Sequence, residues 1–289
     1  GALLAFGAGV GIGVAAAWAA RPRRRAAPGG SVDPGHPALR HGMPVGPRLR
    51  AFRDFVVAYD PRTRNPLWAL EHFTRDSTRG PGDRAVASFQ EDRGIPARFR
   101  SKLSDFQRSG FDRGHMVPAA THRGSQGALE ETFTLSNVSP QVGRGFNRDY
   151  WARFEHFVKG LARGSAGVFV VTGPLFVPHL EKGPLAGAGG TGWRANHALL
   201  GAPPELVAVP THFFKVVLVE PGGEDGKGTL PAVGAFVMPN EKIDPKRPLS
   251  DFIVPVGALE AVAGLEFFPE VLREGERAAL DSRAVELGT

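Results

Sequence analysis

Residues 111–116 read Phe111-Asp112-Arg113-Gly114-His115-Met116, a compact polar cluster between an apolar Phe and an apolar Met-Val pair. An imidazole is the side chain best suited to take a proton near neutral pH, and a neighbouring guanidinium can hold an oxyanion such as a phosphate. The glycine removes a side chain where a bulky substrate could approach. Taken alone, the cluster fits two interpretations equally well: proton transfer at a phosphate, or a satisfied Asp-Arg pair at a strand end.

A helical pattern follows downstream of this cluster. From Asn147, the apolar residues Trp151, Phe154, Val158 and Leu161 recur at three- and four-residue intervals, as a core-facing stripe requires. Asn147 stands where the N-cap of this helix is expected.

Asn147 and Glu155 fall near one face of that helix, so an amide oxygen and a carboxylate can face the same point. Two oxygen donors without a thiolate suit a hard cation such as magnesium, which keeps most of its waters. The alternative is that Asn147 only caps the helix and that Glu155 only pairs with Lys159 at i+4.

Several blocks of sequence resemble one family, the DNA/RNA non-specific endonucleases with a ββα-metal finger, and within it the endonuclease G branch of the fungal type. The resemblance extends over residues 55–268 and includes the intact Asp112, Arg113, Gly114 and His115. Its matching blocks are residues 59–68 with 71–72, 109–120, 171–175, 209–215 and 234–240.

The resemblance implies a role for each candidate residue. His115 would be the general base that takes a proton from the attacking water, and Asn147 would be the direct protein ligand of one magnesium ion, with manganese as a substitute. Glu155 would hydrogen-bond the water around that ion. Arg113 would contact phosphate or brace the finger, and Asn137 would orient His115 or the waters of the ion.

Asp112 is interpreted as structural, because an uncompensated carboxylate beside a polyanion would repel it. The loop at residues 143–145 is similar in length to that of fungal relatives and one residue longer than in some animal ones. That difference makes the role of Asn137 less secure than that of Asn147.

Two further patterns suggest function but have simpler explanations. His122 lies seven residues after His115, and we interpret it as a loop or surface histidine rather than as part of a two-histidine metal site. Residues 187–192 match a dinucleotide-binding fingerprint letter for letter. Residues 182–186 before them look like a loop and no strand leads in, so we expect a chance match.

Charge and composition limit the remaining possibilities. The formal net charge is +6, but residues 1–50 hold seven Arg and one Asp, which leaves 28 basic and 28 acidic residues in the remainder. Residues 93–163 nevertheless carry 12 Lys or Arg against 6 Asp or Glu. A basic surface there would suit a phosphate backbone, although a solvated charged face explains the count nearly as well. The chain has no Cys, which excludes disulfides and thiolate metal sites.

The N-terminal region predicts a membrane anchor followed by a linker. Residues 1–20 contain no charged or polar side chain and are just long enough to span a bilayer, with a processed targeting segment as the alternative. Residues 21–50 read as a basic linker rich in Pro and Gly, and residues 51–289 as the nuclease domain. The resemblance suggests a mitochondrial location, at the inner membrane or in the intermembrane space. The positive-inside rule would instead place residues 21–25 on the cytosolic or matrix side, and the two indications conflict.

Apolar β-rich runs at residues 55–57, 168–171 and 213–219 predict strands, and residues 151–162 and 258–263 predict helices. Strands and helices interleave without a βαβ rhythm, so we expect an α+β fold with a mainly antiparallel central sheet flanked by helices. The leading hypothesis is a magnesium-dependent endonuclease that cuts DNA and RNA, and the resemblance adds a homodimer. The alternatives are a membrane-tethered nucleic-acid-binding protein that has lost catalysis and a phosphodiesterase that acts on lipid or small-molecule esters.

Overall fold

The apolar runs build a central sheet of seven strands, in which every neighbouring pair is antiparallel. The computed structural model describes residues 37–41, 45–182, 191–222 and 231–272. The strands of the described chain are β1 Arg48–Ala51, β2 Phe55–Asp60, β3 Asn65–Phe73, β4 Phe111–His115, β5 Val138–Val142, β6 Ser165–Leu175, β7 His179–Lys182, β8 Thr191–Arg194, β9 Leu199–Ala202, β10 Glu205–Ala208, β11 His212–Pro221, β12 Ala232–Pro239 and β13 Ile253–Val254. The order across the central sheet is β1-β2-β3-β6-β11-β12-β13.

The helices are few and lie around this sheet. The α-helices of the described residues are α1 Gln126–Glu131, α2 Ala152–Leu161 and α3 Val256–Ala263, and a π-helical segment, Gly143–Trp151, leads into α2. Short 3-10 turns occur at Pro37–Leu39, Arg84–Val86, Ala97–Phe99, Leu103–Phe106, Ala119–Thr121, Leu135–Asn137 and Leu249–Phe252. The expected α+β class with a mainly antiparallel central sheet is confirmed.

Both faces of the central strands are buried, because side chains alternate between two cores. On β11, Phe213 and Val217 join the core beneath helix α2, whereas Phe214 and Val216 join the core beneath helix α3. The apolar stripe of α2 closes the first core, as predicted, through Trp151, Phe154 and Val158. In α3, Leu259 packs into the second core.

Lys215 interrupts the apolar alternation of β11. It lies between Phe213 and Val217 on the α2 face and is 1% exposed. Its Nζ donates to Thr172 Oγ1 at 2.8 Å, directly across the strand pair, and to the carbonyl of Met116 at 3.3 Å. A buried ammonium needs such partners, and Lys215 thereby ties the central sheet to the residue that follows His115.

Three expectations require correction. The first strand begins at Arg48, inside the segment expected to be linker up to residue 50. The sequence pattern did not predict it, because an edge strand of only four residues is hard to recognise next to Pro and Gly. His122 lies in a loop but is fully buried, with Nε2 2.9 Å from the Glu71 carboxylate. Strand β7 ends at Lys182, just before the glycine-rich stretch, whereas no strand was expected there.

The dinucleotide fingerprint still fails on its other side, because Thr191 begins strand β8 rather than a helix. Residues 187–190 of that stretch lie outside the described residues, as do residues 1–20 and therefore the expected anchor. Within the described ranges, no helix combines the length and apolar character needed to cross a bilayer.

Candidate active site

Strands β4 and β5 and the helix that follows β5 form a ββα unit around the polar cluster, with α1 in the connection between the two strands. Strand β4 pairs antiparallel with β5, from Phe111 opposite Val142 to His115 opposite Val138. The chain then turns at Gly145, whose φ of 89° favours glycine, and enters the π-helical segment that continues as α2. This unit has the expected ββα form.

His115 lies at the end of β4 in an aromatic pocket. Its ring centroid is 4.7 Å from that of Phe133 and 5.1 Å from that of Phe89, and the residue is 8% exposed. Burial, with the Arg84 charge as a second cause, lowers the pKa of His115 to about 3. Within the described chain, Nε2 has no hydrogen-bond partner. The low pKa leaves the imidazole neutral near pH 7, and its Nε2 is buried away from solvent.

The side chain of Asn147 is held by strand β4 and not by the helix backbone. Its Nδ2 donates to Asp112 Oδ2 at 2.9 Å, and the same carboxylate accepts from Arg148 Nε at 2.7 Å. Hydrogen bonds from Arg148, opposed by burial, keep the pKa of Asp112 below its usual range. The expected N-cap position is wrong: helical backbone begins after Arg144 and Gly145, whose φ/ψ values are non-helical, so Asn147 already lies within the first helical turn.

Glu155 lies in helix α2, eight residues after Asn147, and is partly buried. Burial raises its pKa to about 7, against the opposing charge of Lys215, while Glu71 raises it further and Arg84 lowers it. No ion pair joins it to Lys159 in the described part of the structure, so the simple i+4 alternative is wrong. Its carboxylate belongs to the electrostatic environment of the buried Lys215.

Asn137 is fully buried, and its amide bonds only to backbone. Its Oδ1 accepts from Val117 N at 3.0 Å, and its Nδ2 donates to Val117 O at 3.0 Å and to Thr132 O at 2.9 Å. These bonds hold the chain that leaves His115. Its contribution to His115 therefore passes through the backbone of the loop that follows β4.

Arg113 and Gly114 lie between the acid and the base of the motif. Arg113 is exposed, and its guanidinium carbon is 4.6 Å from the ring centroid of Phe89, which also contacts His115. A Cβ on Gly114 would come within 2.1 Å of the Gln141 side chain. The glycine thus makes room for the side chain of Gln141, which pairs with Asp112 on the neighbouring strand, and not for a substrate, as the sequence had suggested.

Two residues of this site carried no local signal in the sequence. Arg84 is exposed, lies 31 positions before His115, and has its guanidinium carbon 5.7 Å from the centroid of the Phe133 ring. Its positive charge lowers the pKa values of both His115 and Glu155, so it belongs to the electrostatic environment of both groups. The second is Lys215, whose only hint was a lysine within an apolar strand.

The donor set fits a hydrated divalent cation better than a full protein cage. In the described residues, no three His, Cys, Asp or Glu side chains converge as a metal cage. The available donors are the Asn147 amide oxygen and the Glu155 carboxylate, both hard oxygen ligands. Magnesium is commonly bound by one or two such groups and keeps several waters, so this sparse set is compatible with it.

Comparison with known proteins gives a family. The model of the family described as DNA/RNA non-specific endonuclease matches residues 35–274. The chain is 45% identical over 245 residues to the mitochondrial nuclease of Saccharomyces cerevisiae, covering 83% of this chain and 71% of that protein. It is 37% identical over 294 residues to endonuclease G of Bos taurus, covering 94% and 93%.

A solved structure agrees with these sequence relatives. It is the crystal structure of an EndoG/EndoGI complex, which matches with a TM-score of 0.71 and 40% identity over 81% of this chain and 91% of that one. The sheet, the ββα unit and the sequence matches lead to one conclusion: the chain belongs to the DNA/RNA non-specific endonuclease family and is a nuclease.

Proposed function

We propose that this nuclease is a magnesium-dependent endonuclease that hydrolyses DNA and RNA to 5′-phosphate and 3′-hydroxyl ends, with manganese able to replace magnesium. The observation that carries the proposal is the His115 imidazole, which its aromatic pocket keeps neutral, in the same ββα unit that positions Asn147. A phosphodiester needs both a base for the attacking water and positive charge at the phosphate.

His115 is the proposed general base. The aromatic pocket disfavours its protonated form, so the imidazole is ready to accept a proton from water as that water attacks phosphorus. Lys215 and Asn137 would help to hold His115 in position for this step, because both hydrogen-bond to the backbone of residues 116–117, immediately after His115.

Asn147 and Glu155 are the residues that would hold the cation, Asn147 directly and Glu155 through water. When bound, the ion supplies positive charge that stabilises the phosphate and the departing 3′ oxygen. Arg84 and Arg113 are exposed and lie over Phe133 and Phe89, the two rings that contact His115, where their guanidinium groups would bind the phosphate.

Recognition through phosphates accounts for action on both DNA and RNA, because phosphates carry no sequence information. The basic stretch at residues 93–163 includes His115, Asn147 and Glu155 and would supply further backbone contacts.

The cellular setting is proposed from the relatives. Proteins named as mitochondrial nucleases in Saccharomyces cerevisiae and Homo sapiens are among them, and we place this chain in mitochondria, at the inner membrane or in the intermembrane space. Residues 1–20 would anchor it, the linker would end before Arg48, and the enzyme would act as a homodimer.

Plasmid nicking tests the proposal. Wild type with magnesium should cut supercoiled DNA and single-stranded RNA, EDTA should abolish both activities, and His115→Ala should reduce them by about 100- to 10,000-fold. His72→Ala is the matched control, because His72 is exposed and stacks on Phe169 of the sheet. Equal cleavage by wild type and His115→Ala would refute the proposed base.

The same assay separates the alternatives. A protein that binds nucleic acid in a mobility-shift assay but never cuts it with either metal would be a catalytically inactive nucleic-acid-binding protein. Hydrolysis of a small-molecule phosphodiester that excess duplex DNA does not inhibit would favour the lipid or small-molecule phosphodiesterase.

A further inference from the structure

Both oxygens of the Asp112 carboxylate accept hydrogen bonds from two neighbours on the helical side of the ββα unit. Its Oδ2 accepts from Asn147 Nδ2 at 2.9 Å and from Arg148 Nε at 2.7 Å, and its Oδ1 accepts from the Arg148 terminal nitrogen at 2.5 Å. A Cβ on Gly143 would lie 2.9 Å from both carboxylate oxygens, so the glycine leaves space for this arrangement.

The chemistry of these partners determines which way the amide of Asn147 faces. An ionised carboxylate can only accept hydrogen bonds, so only the NH2 end of the amide can face Asp112. The amide oxygen must then face the other way. The oxygen and the NH2 group of an amide are nearly equal in size. If Asp112 were absent, its hydrogen bond would no longer prevent the Asn147 amide from rotating by 180°.

The ion pair with Arg148 also explains why Asp112 does not itself compete for a cation. Both of its oxygens are engaged by the guanidinium fork, which is the bidentate geometry that Arg and a carboxylate form best. Arg148 compensates the negative charge that would otherwise repel a nucleic acid. Asp112 was interpreted from the sequence as structural, and its contacts give it a more specific task.

We propose that Asp112 is a positioning residue that selects the one orientation of the Asn147 amide presenting its oxygen to a divalent cation, with Arg148 holding Asp112 in place. This inference rests on the proposed function, in which Asn147 is the direct protein ligand. It gives Asp112 a role in binding the cation rather than in supporting the proposed general base, His115.

Binding of Mn²⁺ to the full chain, measured by electron paramagnetic resonance without nucleic acid, tests this assignment in two backgrounds. With Asn at position 147, Asp112→Ala should weaken binding by about 10- to 100-fold. In an Asn147→Asp background, the same change should weaken binding less than about threefold, because the two oxygens of a carboxylate are equivalent and need no orientation. An equal loss in both backgrounds, or no loss in the first, overturns the proposal.

Two more variants complete the test. Arg148→Gln should weaken Mn²⁺ binding at least about threefold by loosening Asp112, and it decides the question if Asp112→Ala does not fold; unchanged binding by Arg148→Gln would then overturn the proposal. Asn147→Ala distinguishes the proposed metal ligand, Asn147, from the proposed positioning role of Asp112. Wild-type affinity in Asn147→Ala would refute the metal ligand of the proposed function, whereas a loss in Asn147→Ala with none in Asp112→Ala would refute the positioning role alone.

Discussion

The ring of His115 packs edge-on against the ring of Phe133, with 4.7 Å between centroids and 86° between planes. Phe89 packs next to Phe133, with its ring centroid 5.1 Å from that of the imidazole and 5.0 Å from that of Phe133. This aromatic pocket strips water from a group that must stay unprotonated to act as a base. The same packing that would prepare His115 for catalysis should therefore make the fold sensitive to acid.

The first prediction concerns this acid sensitivity. Since burial lowers the pKa of His115 to about 3, the unfolded chain binds more protons than the folded chain between pH 3 and His115's ordinary value of 6.5. The stabilisation is complete above pH 6.5 and is lost as the pH falls through that window. Urea unfolding in EDTA should show wild type losing about 2–3 kcal/mol more than His115→Gln between pH 7 and pH 4.

Glu155 has the opposite sign, because its raised pKa of about 7 makes the folded chain bind more protons than the unfolded chain above pH 4.5. Its contribution is common to wild type and His115→Gln, so the difference between the two proteins isolates the histidine. Parallel pH profiles for the two proteins would contradict the prediction.

The second prediction separates two asparagines that the sequence placed in one site. Asn137→Ala removes three buried hydrogen bonds to backbone and should lower the free energy of unfolding by about 2–4 kcal/mol. Asn147→Ala should change it by less than about 1 kcal/mol while abolishing metal-dependent cleavage. Urea unfolding in EDTA and plasmid nicking measure the two effects, and a reversed pattern would exchange the assigned roles.

The third prediction concerns the glycine of the polar cluster. Gly114→Ala forces a Cβ into the side chain of Gln141 and should destabilise the fold by about 1–3 kcal/mol. Gln141→Ala in addition should recover at least half of that loss, because it empties the space. Chemical unfolding of both single variants and the double variant gives the coupling energy, and additive losses would show that a different clash limits position 114.

The fourth prediction concerns the exposed Arg84, whose charge lowers the pKa values of both His115 and Glu155. Arg84→Ala should leave the unfolding free energy within about 0.5 kcal/mol, since the side chain is exposed. It should lower kcat/KM for DNA at least tenfold. It should also reduce the slope of log affinity against log salt concentration by about 1, because one phosphate contact is lost. Arg84→Lys, which keeps the charge, should retain the salt dependence, and an unchanged kcat/KM in Arg84→Ala would remove Arg84 from the site.

Local patterns were sufficient for three strands of the central sheet and for the helices after Asn147 and at residues 256–263. The apolar runs at residues 55–57, 168–171 and 213–219 are central strands, and the stripe from Trp151 to Leu161 is a buried helix face, because periodicity depends only on near neighbours in sequence. The same reasoning missed the short edge strand Arg48–Ala51, whose pairing with β2 is not visible in four residues.

The amino-acid sequence by itself determined the α+β class, the motif at residues 112–115 and the helix that carries Asn147 and Glu155, since each is written in consecutive or periodically spaced residues. Only the tertiary structure decided that Asp112 bonds Asn147, that Asn137 bonds backbone, and that Arg84 and Lys215 belong near His115. The reason is physical: these contacts join residues far apart in the chain, and burial and hydrogen-bond geometry exist only once the sheet and the ββα unit have packed together.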